Sequence, residues 1–578
     1  MAWKRPQVQI LYSPLMRYLS ILTNTPVILS LLFTAFVCAI KYPFDFFWAR
    51  FDVYYHAVHS QSYIDSFDIT YPVFTYFSLY PADLWYAYHL LTAGAYFIGN
   101  LFGTLTAEQA TVGLHVFYTF ILSAILLWFF KVLFNYANDR TGKLTLGWYL
   151  TFLSILVIAF PHFTVRVFFY ERPHVFMIGF VLLAMIAVLK QRYGWLFFLA
   201  LLAPLTYSFS LFIFLPLVIL FLGYVIETKR IQLNEELKKI LFYTVSGFTM
   251  GILFHPNSIG YLINGLAFHT FAILQSATPG LPTQMGKLVV PDEMTFMRDV
   301  FPIFHSIVAF GLLISFDIKR HSFNKTSYSD LHRSAVLTGL LVMSLLLLAA
   351  SIFVIRAIEY AIPLAVATFI VMWPMVGKEL KTAFSSVLTN TKSKTSRYLR
   401  VCINLFETFL SYLKRPITQF VLFILIVAAT TKYLYLPYAE VIKNGARNYS
   451  AAAEYLSSEA TDGEVIIQTQ FATYPSLLRA NPSLKIATGM DARMIYFYDP
   501  ELSYLYAALL KTAECYKECP YTREEALEKL RERYEINHIL VEESFLEEQM
   551  FEHFENDERY ELVFIDENDD RIKIYKVH

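Results

Sequence analysis

Eleven long apolar runs constrain the fold of this chain more than any other feature of its sequence. A helix needs about 17–25 mostly apolar residues to cross the hydrocarbon core of a bilayer, and shorter runs need help from tilt or neighbouring helices. The runs lie at Leu19–Ile40, Thr111–Phe134, Leu144–Phe160, His174–Leu189, Trp195–Ser208, Leu211–Ile226, Ile240–Phe254, Phe301–Phe316, Ala335–Ile355, Ala357–Met375 and Ile417–Leu436. Hydrophobic residues make up 56% of the 578 residues and charged residues only 16%. The sequence therefore predicts an α-helical polytopic membrane protein with about eleven transmembrane helices.

The lysines and arginines between the runs predict which side of the membrane each loop faces. Cytoplasmic loops carry an excess of these residues. With eleven spans, one side receives Lys4, Arg5, Arg17, Arg140, Lys143, Lys190, Arg192, Lys229, Arg230, Lys319, Arg320 and the basic stretch Lys378–Arg415. A further apolar stretch, Ala82–Phe102, would reverse this pattern if it crossed, so we interpret it as an amphipathic helix on the outer surface. The N-terminus is then cytoplasmic, and the outer loops 42–106 and 255–300 share the extracytoplasmic side with the C-terminus.

Residues 437–578 differ from residues 1–436 in charge and in periodicity. They contain 28 Asp and Glu against 15 Lys and Arg, whereas residues 1–436 contain 19 against 32. The predicted elements are helix Tyr449–Ser458, strand Glu464–Gln468, helix Arg523–Arg533, strand His538–Glu542 and hairpin Glu561–Val577. This pattern predicts a soluble extracytoplasmic α/β domain, whose simplest role is to cap the transmembrane part. No glycine-rich phosphate loop precedes its helices, and the chain has no motif for nucleic acid.

The first outer loop gathers acidic, phenolic and imidazole side chains directly after the first span. Asp45 and Asp52 lie close to the predicted edge of the bilayer. If the segment is helical, Asp52, His56 and His59 fall on one face together with Tyr55. Ionisable groups near a membrane are costly unless they face water, a partner or a cavity, so this loop is a candidate catalytic site. The alternative is a solvated interfacial loop whose acids keep it outside.

A divalent cation is one candidate ligand of this face. Carboxylate oxygen and imidazole nitrogen from Asp52, His56 and His59 suit transition metals such as Mn²⁺ or Zn²⁺. We favour acid–base or hydrogen-bonding roles for the same residues, because a chain with 14 histidines often places two near an acid.

Two arginine-containing segments are also predicted on the outer side. Arg172 and His174 lie between the third and fourth spans, and Arg356 and Glu359 lie where the ninth span meets the tenth. Planar guanidinium groups match phosphate oxygens in pairs, so both arginines are candidates for binding a lipid phosphate. The alternative in each case is an ion pair with a neighbouring glutamate, Glu171 or Glu359.

The outer loop 255–300 ends in the glycine- and proline-containing stretch TPGLPTQMGKLVVPDE, which predicts a flexible cover. His255, at its start, is a candidate substrate contact. The alternative is a plain interfacial residue.

Three short segments within the first outer loop carry a resemblance to a known family. They are Asp52-Val-Tyr-Tyr-His-Ala57, Tyr80-Pro81-Ala-Asp-Leu-Trp85 and Ile98-Gly99-Asn-Leu-Phe-Gly103. Together with the Arg356–Pro363 stretch and the long loop before the eighth span, they resemble the pattern of the GT-C superfamily of membrane glycosyltransferases. The resemblance covers the transmembrane part, residues 1–436, and weakly the tail.

The resemblance implies transfer of a sugar from a polyprenyl-phosphate carrier to a glycan, lipid or protein acceptor on the outer face, with inversion at the anomeric carbon. It implies Asp52 as the base that takes the proton of an acceptor hydroxyl, while Asp45 positions the acceptor or a metal ion. Some members of the superfamily use an acidic pair with a metal and others do not, so Mg²⁺ or Mn²⁺ is a candidate cofactor rather than a required one.

The remaining candidate residues would then act on the donor. Arg356 and Arg172 would stabilise the departing lipid phosphate, with Glu359 beside them. His56 and His59 would hydrogen-bond the sugar or tune Asp52.

Two other classes of protein fit parts of the same pattern. A lipid or solute transporter, or a flippase, would also have many spans and buried ionisable groups, but the sequence shows no two-half symmetry and its charges gather at the outer edge. A non-catalytic membrane scaffold that uses the tail to bind a partner is the third reading.

Overall fold

The computed structural model describes most of the chain before residue 269 and separate segments after it. The described residues are 25–41, 50–65, 83–103, 105–137, 144–169, 172–268, 308–309, 311–313, 328–353, 357–373, 428, 431–432, 449–461, 464–468, 474–481, 484–487, 499–510, 520–542 and 554–578. The predicted spans Phe301–Phe316 and Ile417–Leu436 lie largely outside these residues.

Helices dominate the described residues up to 373. In chain order they are α1 (Thr25–Lys41), α2 (Arg50–Asp65), α3 (Tyr86–Phe102), α4 (Ala107–Ala137), α5 (Leu146–Ser154), α6 (Pro161–Thr164), α7 (His174–Leu189), α8 (Gly194–Thr206), α9 (Leu215–Thr228), α10 (Glu235–Phe254), α11 (Tyr328–Phe353) and α12 (Ile358–Trp373). Further helical segments of π or 3₁₀ type lie at Ile155–Ala159, Val165–Phe169, Ser210–Phe214 and Tyr261–Phe268, the last directly after the short turn Ser258–Gly260.

Among the described residues, four helices are long and apolar enough to cross a membrane. They are Ala107–Ala137, Ser210–Thr228, Glu235–Phe254 and Asp330–Ser351. Shorter apolar helices lie at Thr25–Ile40, Leu146–Val157, His174–Leu189, Gly194–Thr206, Ser258–Ala267 and Ile358–Trp373. The predicted number of about eleven spans is therefore not confirmed. Helix α3 belongs to neither group, and the interpretation of Ala82–Phe102 as a surface helix stays a prediction.

Glycines let pairs of membrane helices pack with their backbones close together. Gly247 and Gly251 on α10 form a GxxxG pattern that faces α8. A Cβ atom added to Gly251 would lie 2.3 Å from the carbonyl oxygen of Leu201, closer than real Cβ contacts come. Gly223 on α9 and Gly339 on α11 meet the opposite backbone in the same way. Small residues at such crossings allow the close van der Waals contact that holds helices together in lipid.

A five-stranded sheet forms the described part of the C-terminal domain. Its strands are β1 (Val465–Gln468), β2 (Lys485–Ile486), β3 (His538–Glu542), β4 (Tyr560–Asp566) and β5 (Asp569–Val577). They lie in the order β2-β1-β3-β5-β4, with β1 parallel to β2 and β3, and β5 antiparallel to β3 and β4. The accompanying helices are α13 (Ser450–Glu459), α14 (Tyr474–Ala480), α15 (Pro500–Leu510) and α16 (Arg523–Arg533). Every element predicted for this domain is present, whereas α14, β2 and α15 were not predicted.

Helix α14 packs against α2, so the C-terminal domain contacts the first outer loop. Arg479, in the last turn of α14, forms an ion pair with Glu108 at the start of α4. Tyr474 and Leu477 of α14 belong to the same buried hydrophobic cluster as the membrane helices. The domain is therefore joined to the helix that carries the candidate site.

Candidate functional site

Helix α2 carries three of the predicted site residues. Asp52 lies in its first turn, although the side chains of residues 50–52 lie outside the described part of the structure. His56 and His59 follow at helical spacing, and both are buried, with exposed fractions of 2% and 0%. Tyr55 is buried beside them, with its ring 4.5 Å from that of His59. The predicted face therefore packs into the protein from residue 55 onward.

Asp83 and His89 approach these histidines from the start of α3. The carboxylate of Asp83 accepts a hydrogen bond from the backbone N–H of Trp85 at 2.9 Å, an Asx-turn contact that fixes it at the loop–helix junction. His89 lies one turn into α3, and its Nδ1 is 2.7 Å from Asp83 Oδ2. The hydroxyl of Tyr63, on α2, donates to the same oxygen. Asp83 thus links α2 to α3.

A chain of hydrogen bonds runs from Asp83 through two imidazoles. A carboxylate only accepts, so His89 donates to Asp83 through Nδ1, and in the neutral ring its Nε2 accepts. That nitrogen lies 2.7 Å from Nδ1 of His56, which is therefore the donor. A hydroxyl contact between Ser60 and Thr92 adds a second link between the two helices. We refer to His56, His59, Asp83 and His89 as the histidine–aspartate cluster.

Burial and neighbouring groups together determine the charges of His59 and Asp83. The pKa of His59 is lowered to about 3, chiefly by burial and further by repulsion from His89, so this ring is neutral at physiological pH. Burial alone would raise the pKa of Asp83, but the charge and hydrogen bond of His89, with the hydrogen bond of Tyr63, hold it well below its ordinary value. The cluster therefore contains a fixed carboxylate with imidazoles packed around it.

His255, at the start of loop 255–300, packs against the cluster from a third segment of the chain. Its Nε2 donates to the backbone oxygen of Asp83 at 2.9 Å, and its Nδ1 accepts from the backbone N–H of Asn257 at 3.2 Å. Burial is the main cause of a lowered pKa for His255. The predicted substrate contact at the start of loop 255–300 is thus a buried residue that holds the Asp83 backbone.

A second polar group lies where α12 meets the helical segment Val165–Phe169. Arg166 donates from Nε and Nη2 to Oε1 of Glu359, at 3.2 Å and 3.0 Å. Both side chains are buried. His174, at the first position of α7, donates from Nε2 to the backbone oxygen of Arg166 at 3.0 Å. Glu359, which the sequence placed beside Arg356, therefore pairs with an arginine that is distant in the sequence.

The structure describes only one of the four remaining predicted residues. Arg172 is partly buried just before α7. Asp45, Glu171 and Arg356 lie outside the described residues, so the predicted convergence of Asp52, Arg172 and Arg356 stays a prediction.

Sequence reasoning missed Asp83 and His89 as partners of the histidines on α2, and it did not pair Arg166 with Glu359. Asp83 and His89 were visible only as parts of the surface-helix stretch and of the segment ending at Trp85, and Arg166 only as a further arginine that could bind phosphate in the segment ending at His174. A pairing of α2 with α3 would have brought the two histidine-bearing faces together, but that pairing is not encoded in local spacing.

Three members of the cluster lie close enough together to be candidate ligands of a metal ion. His59, Asp83 and His89 each offer one ligand atom, and these atoms lie within 4.8 Å of one another. All three residues are buried. This set shares only His59 with the predicted set of Asp52, His56 and His59.

Comparison with known proteins identifies the fold. No protein-family model matches the sequence, and no curated protein matches it. The structure of the Archaeoglobus fulgidus oligosaccharyltransferase in the apo form is similar, with a TM-score of 0.52 at 10% identity over 89% of this chain and 69% of that one. The same enzyme tethered to an acceptor peptide that contains the NVT sequon gives a TM-score of 0.51 at 10% identity, over 85% and 64%. The chain thus spans about two thirds of the enzyme's length, and it has a GT-C-like fold.

Proposed function

We propose that this protein is a membrane glycosyltransferase that moves a sugar from a polyprenyl-phosphate carrier to an acceptor on the outer face, with inversion and with Asp52 as the base. The GT-C-like fold, matched over 85% and 89% of the chain, is the observation that carries the proposal. The candidate base stands in the first turn of α2, the next described helix after α1, as the resemblance implies.

The chemistry of transfer accounts for the residue types. An acceptor hydroxyl becomes a competent nucleophile when a carboxylate removes its proton, which contributes about 10²–10⁴-fold to the rate. Attack from the face opposite the leaving group inverts the anomeric carbon in one displacement. The departing polyprenyl phosphate carries negative charge, which Arg172 and Arg356 would stabilise. Asp45 would orient the acceptor or hold a Mg²⁺ or Mn²⁺ ion, and the acceptor would be a glycan, a lipid or a protein.

The histidine–aspartate cluster supports the proposal through the position of α2. A catalytic base is effective only when it is held close to its productive geometry, and rigid packing behind it supplies that precision. His56 and His59 lie one and two turns after Asp52, and both are buried against α3. In this proposal they fix the helix that presents the base.

Substitution of Asp52 tests the proposal. The assay uses full-length protein in proteoliposomes, synthetic polyprenyl-phosphate-linked radiolabelled hexoses as donors, and membrane extract as the source of acceptors. Asp52→Asn removes the base and keeps the shape of the side chain, so transfer should fall by about 10²–10⁴-fold. The control is Asp65→Asn, which neutralises an exposed carboxylate on the same helix and should transfer at the wild-type rate.

The possible results separate the classes of function. Wild-type transfer by Asp52→Asn, with both variants eluting as folded protein, would exclude Asp52 as the base. Movement of the labelled lipid across the bilayer without cleavage of the sugar–phosphate bond would instead identify a flippase.

A further inference from the structure

We infer that His59, Asp83 and His89 bind a divalent transition-metal ion, with Zn²⁺ the best match, and that this ion joins α2 to α3. The inference rests on the ligand set and its burial, and it does not depend on the proposed sugar transfer. This ion is distinct from any cation held by Asp45 or Asp52.

The donor atoms select the class of metal. Two imidazole nitrogens and one carboxylate oxygen form a ligand set that Zn²⁺ accepts in tetrahedral geometry. Mg²⁺ and Ca²⁺ prefer oxygen donors and keep more of their water, so a site with two imidazoles disfavours them. All three side chains are buried, and a buried carboxylate is stabilised by a cation at this position.

The distances are close to those of an assembled site. Ligand atoms about 2.0 Å from a tetrahedral ion lie roughly 3.3 Å apart. Nδ1 of His89 and Oδ2 of Asp83 are 2.7 Å apart, and one ligand atom from each of His59, Asp83 and His89 lies within 4.8 Å of the other two. The ring of His59 is stacked on that of His89, with centroids 4.5 Å apart and planes 12° from parallel. Because a metal ion lies in the plane of each ring that binds it, His59 must turn out of this stack as the ion enters.

Neighbouring groups are placed to hydrogen-bond with the residues that would bind the metal. A metal-bound histidine normally donates its second ring N–H to a polar partner, which fixes the ring. In the metal-bound form, the ring proton of a neutral His89 lies on Nε2 and is donated to Nδ1 of His56, 2.7 Å away, and His56 then carries its own ring proton on Nε2. The second oxygen of Asp83 keeps its hydrogen bond from the backbone N–H of Trp85. Nε2 of His89 and the second oxygen of Asp83 therefore both keep a hydrogen-bond partner when the metal is bound.

Metal binding by the full-length protein tests the inference. Protein in detergent is stripped with a chelator, dialysed and titrated with Zn²⁺ against a chromophoric competitor, and metal content is measured by mass spectrometry. Wild type should bind one equivalent, and His89→Gln should bind at least about 100-fold more weakly. The control is His115→Gln, which removes another buried histidine, one whose Nε2 lies 3.2 Å from the backbone oxygen of Phe168, and it should bind as wild type does.

A cysteine variant gives a signal that a purely structural role cannot produce. His59→Cys supplies a thiolate, so loading with Co²⁺ should add a sulfur-to-cobalt charge-transfer band in the near ultraviolet. Wild type contains the same four native cysteines and serves as the baseline. This measurement stands even if His89→Gln fails to fold. Zn²⁺ binding by wild type no tighter than by folded His89→Gln would overturn the site, and so would cobalt-loaded His59→Cys with the wild-type spectrum.

Discussion

Replacing Arg166 by methionine is expected to destabilise the protein by about 3–5 kcal/mol, because it removes the arginine that donates two hydrogen bonds to the buried carboxylate of Glu359. The side chains of Arg166 and Glu359 are only 8% and 4% exposed, so little water reaches the carboxylate. Two N–H groups of the guanidinium, at 3.2 Å and 3.0 Å, converge on one oxygen. Removal of the arginine therefore costs the carboxylate two charge-assisted hydrogen bonds at once.

The double variant Arg166→Met with Glu359→Met removes both charges, so it separates the attraction between them from the cost of burying each one. Desolvation of two charges offsets much of their attraction, so the double variant should be about as stable as wild type, or more stable by about 1–4 kcal/mol. Arg230→Met, which removes an exposed arginine, is the matched control and should change stability by no more than about 0.5 kcal/mol.

Unfolding in detergent, followed by tryptophan fluorescence as denaturant is added, measures each free energy. The double-mutant cycle gives the coupling between the two residues. If Arg166→Met matched the Arg230→Met control, or if the two single effects simply added, the buried pair would have no role in stability. Arg166 and Glu359 would then be available for another function, such as binding phosphate.

Two further predictions concern helix packing and pH. Gly251→Ala should destabilise the protein by about 1–3 kcal/mol, because the added Cβ would clash with the carbonyl oxygen of Leu201. Gly113→Ala is the control: open space surrounds this glycine, so the alanine should stabilise the helix by about 1 kcal/mol. Equal effects of the two variants in the same unfolding assay would refute the close approach of the helices. Burial raises the pKa of Glu464, but the hydrogen bond from His538 and further contacts hold it below its ordinary value of 4.5, so its stabilisation is complete above that pH and is lost as pH falls through the folded pKa. The protection of β1 amides against hydrogen exchange, relative to the intrinsic rate at each pH, should therefore fall below pH 4.5 more in wild type than in Glu464→Gln, and an equal fall would contradict this.

The sequence predicted best where local chemistry decides the structure. Helix α16 begins at a capping box, in which the side chain of Thr522 accepts from the Glu525 backbone and Glu525 accepts in return. The hairpin β4–β5, with its turn at Glu567–Asn568, covers the predicted hairpin Glu561–Val577. By contrast, β2 is two residues long and α14 seven, so neither gives a periodic signal of useful length.

The candidate site required tertiary information that local patterns do not contain. The prediction of an acid–imidazole face on α2 was correct in spacing, but spacing does not tell whether such a face meets a substrate or another helix. Asp83 and His89 become partners of His56 only because α3 packs on α2. The GxxxG pattern of Gly247 and Gly251 is a signal that the sequence did offer, since small residues at this spacing favour a close helix crossing.

The burial of the histidine–aspartate cluster indicates which residues of the first outer loop could contact a substrate. His56 and His59 have exposed fractions of 2% and 0%, which leaves no surface on which a sugar could rest. Their rings instead lie against His89 and Asp83, residues at the start of α3, the helix on which α2 packs. In the proposed function, the chemistry therefore falls to groups before residue 55, above all Asp52, and the histidines contribute by holding α2 in position. Under this division, His56→Gln should lower the stability of the α2–α3 contact and slow transfer only as far as the helix shifts, whereas Asp52→Asn should abolish transfer in a protein that stays as stable as wild type.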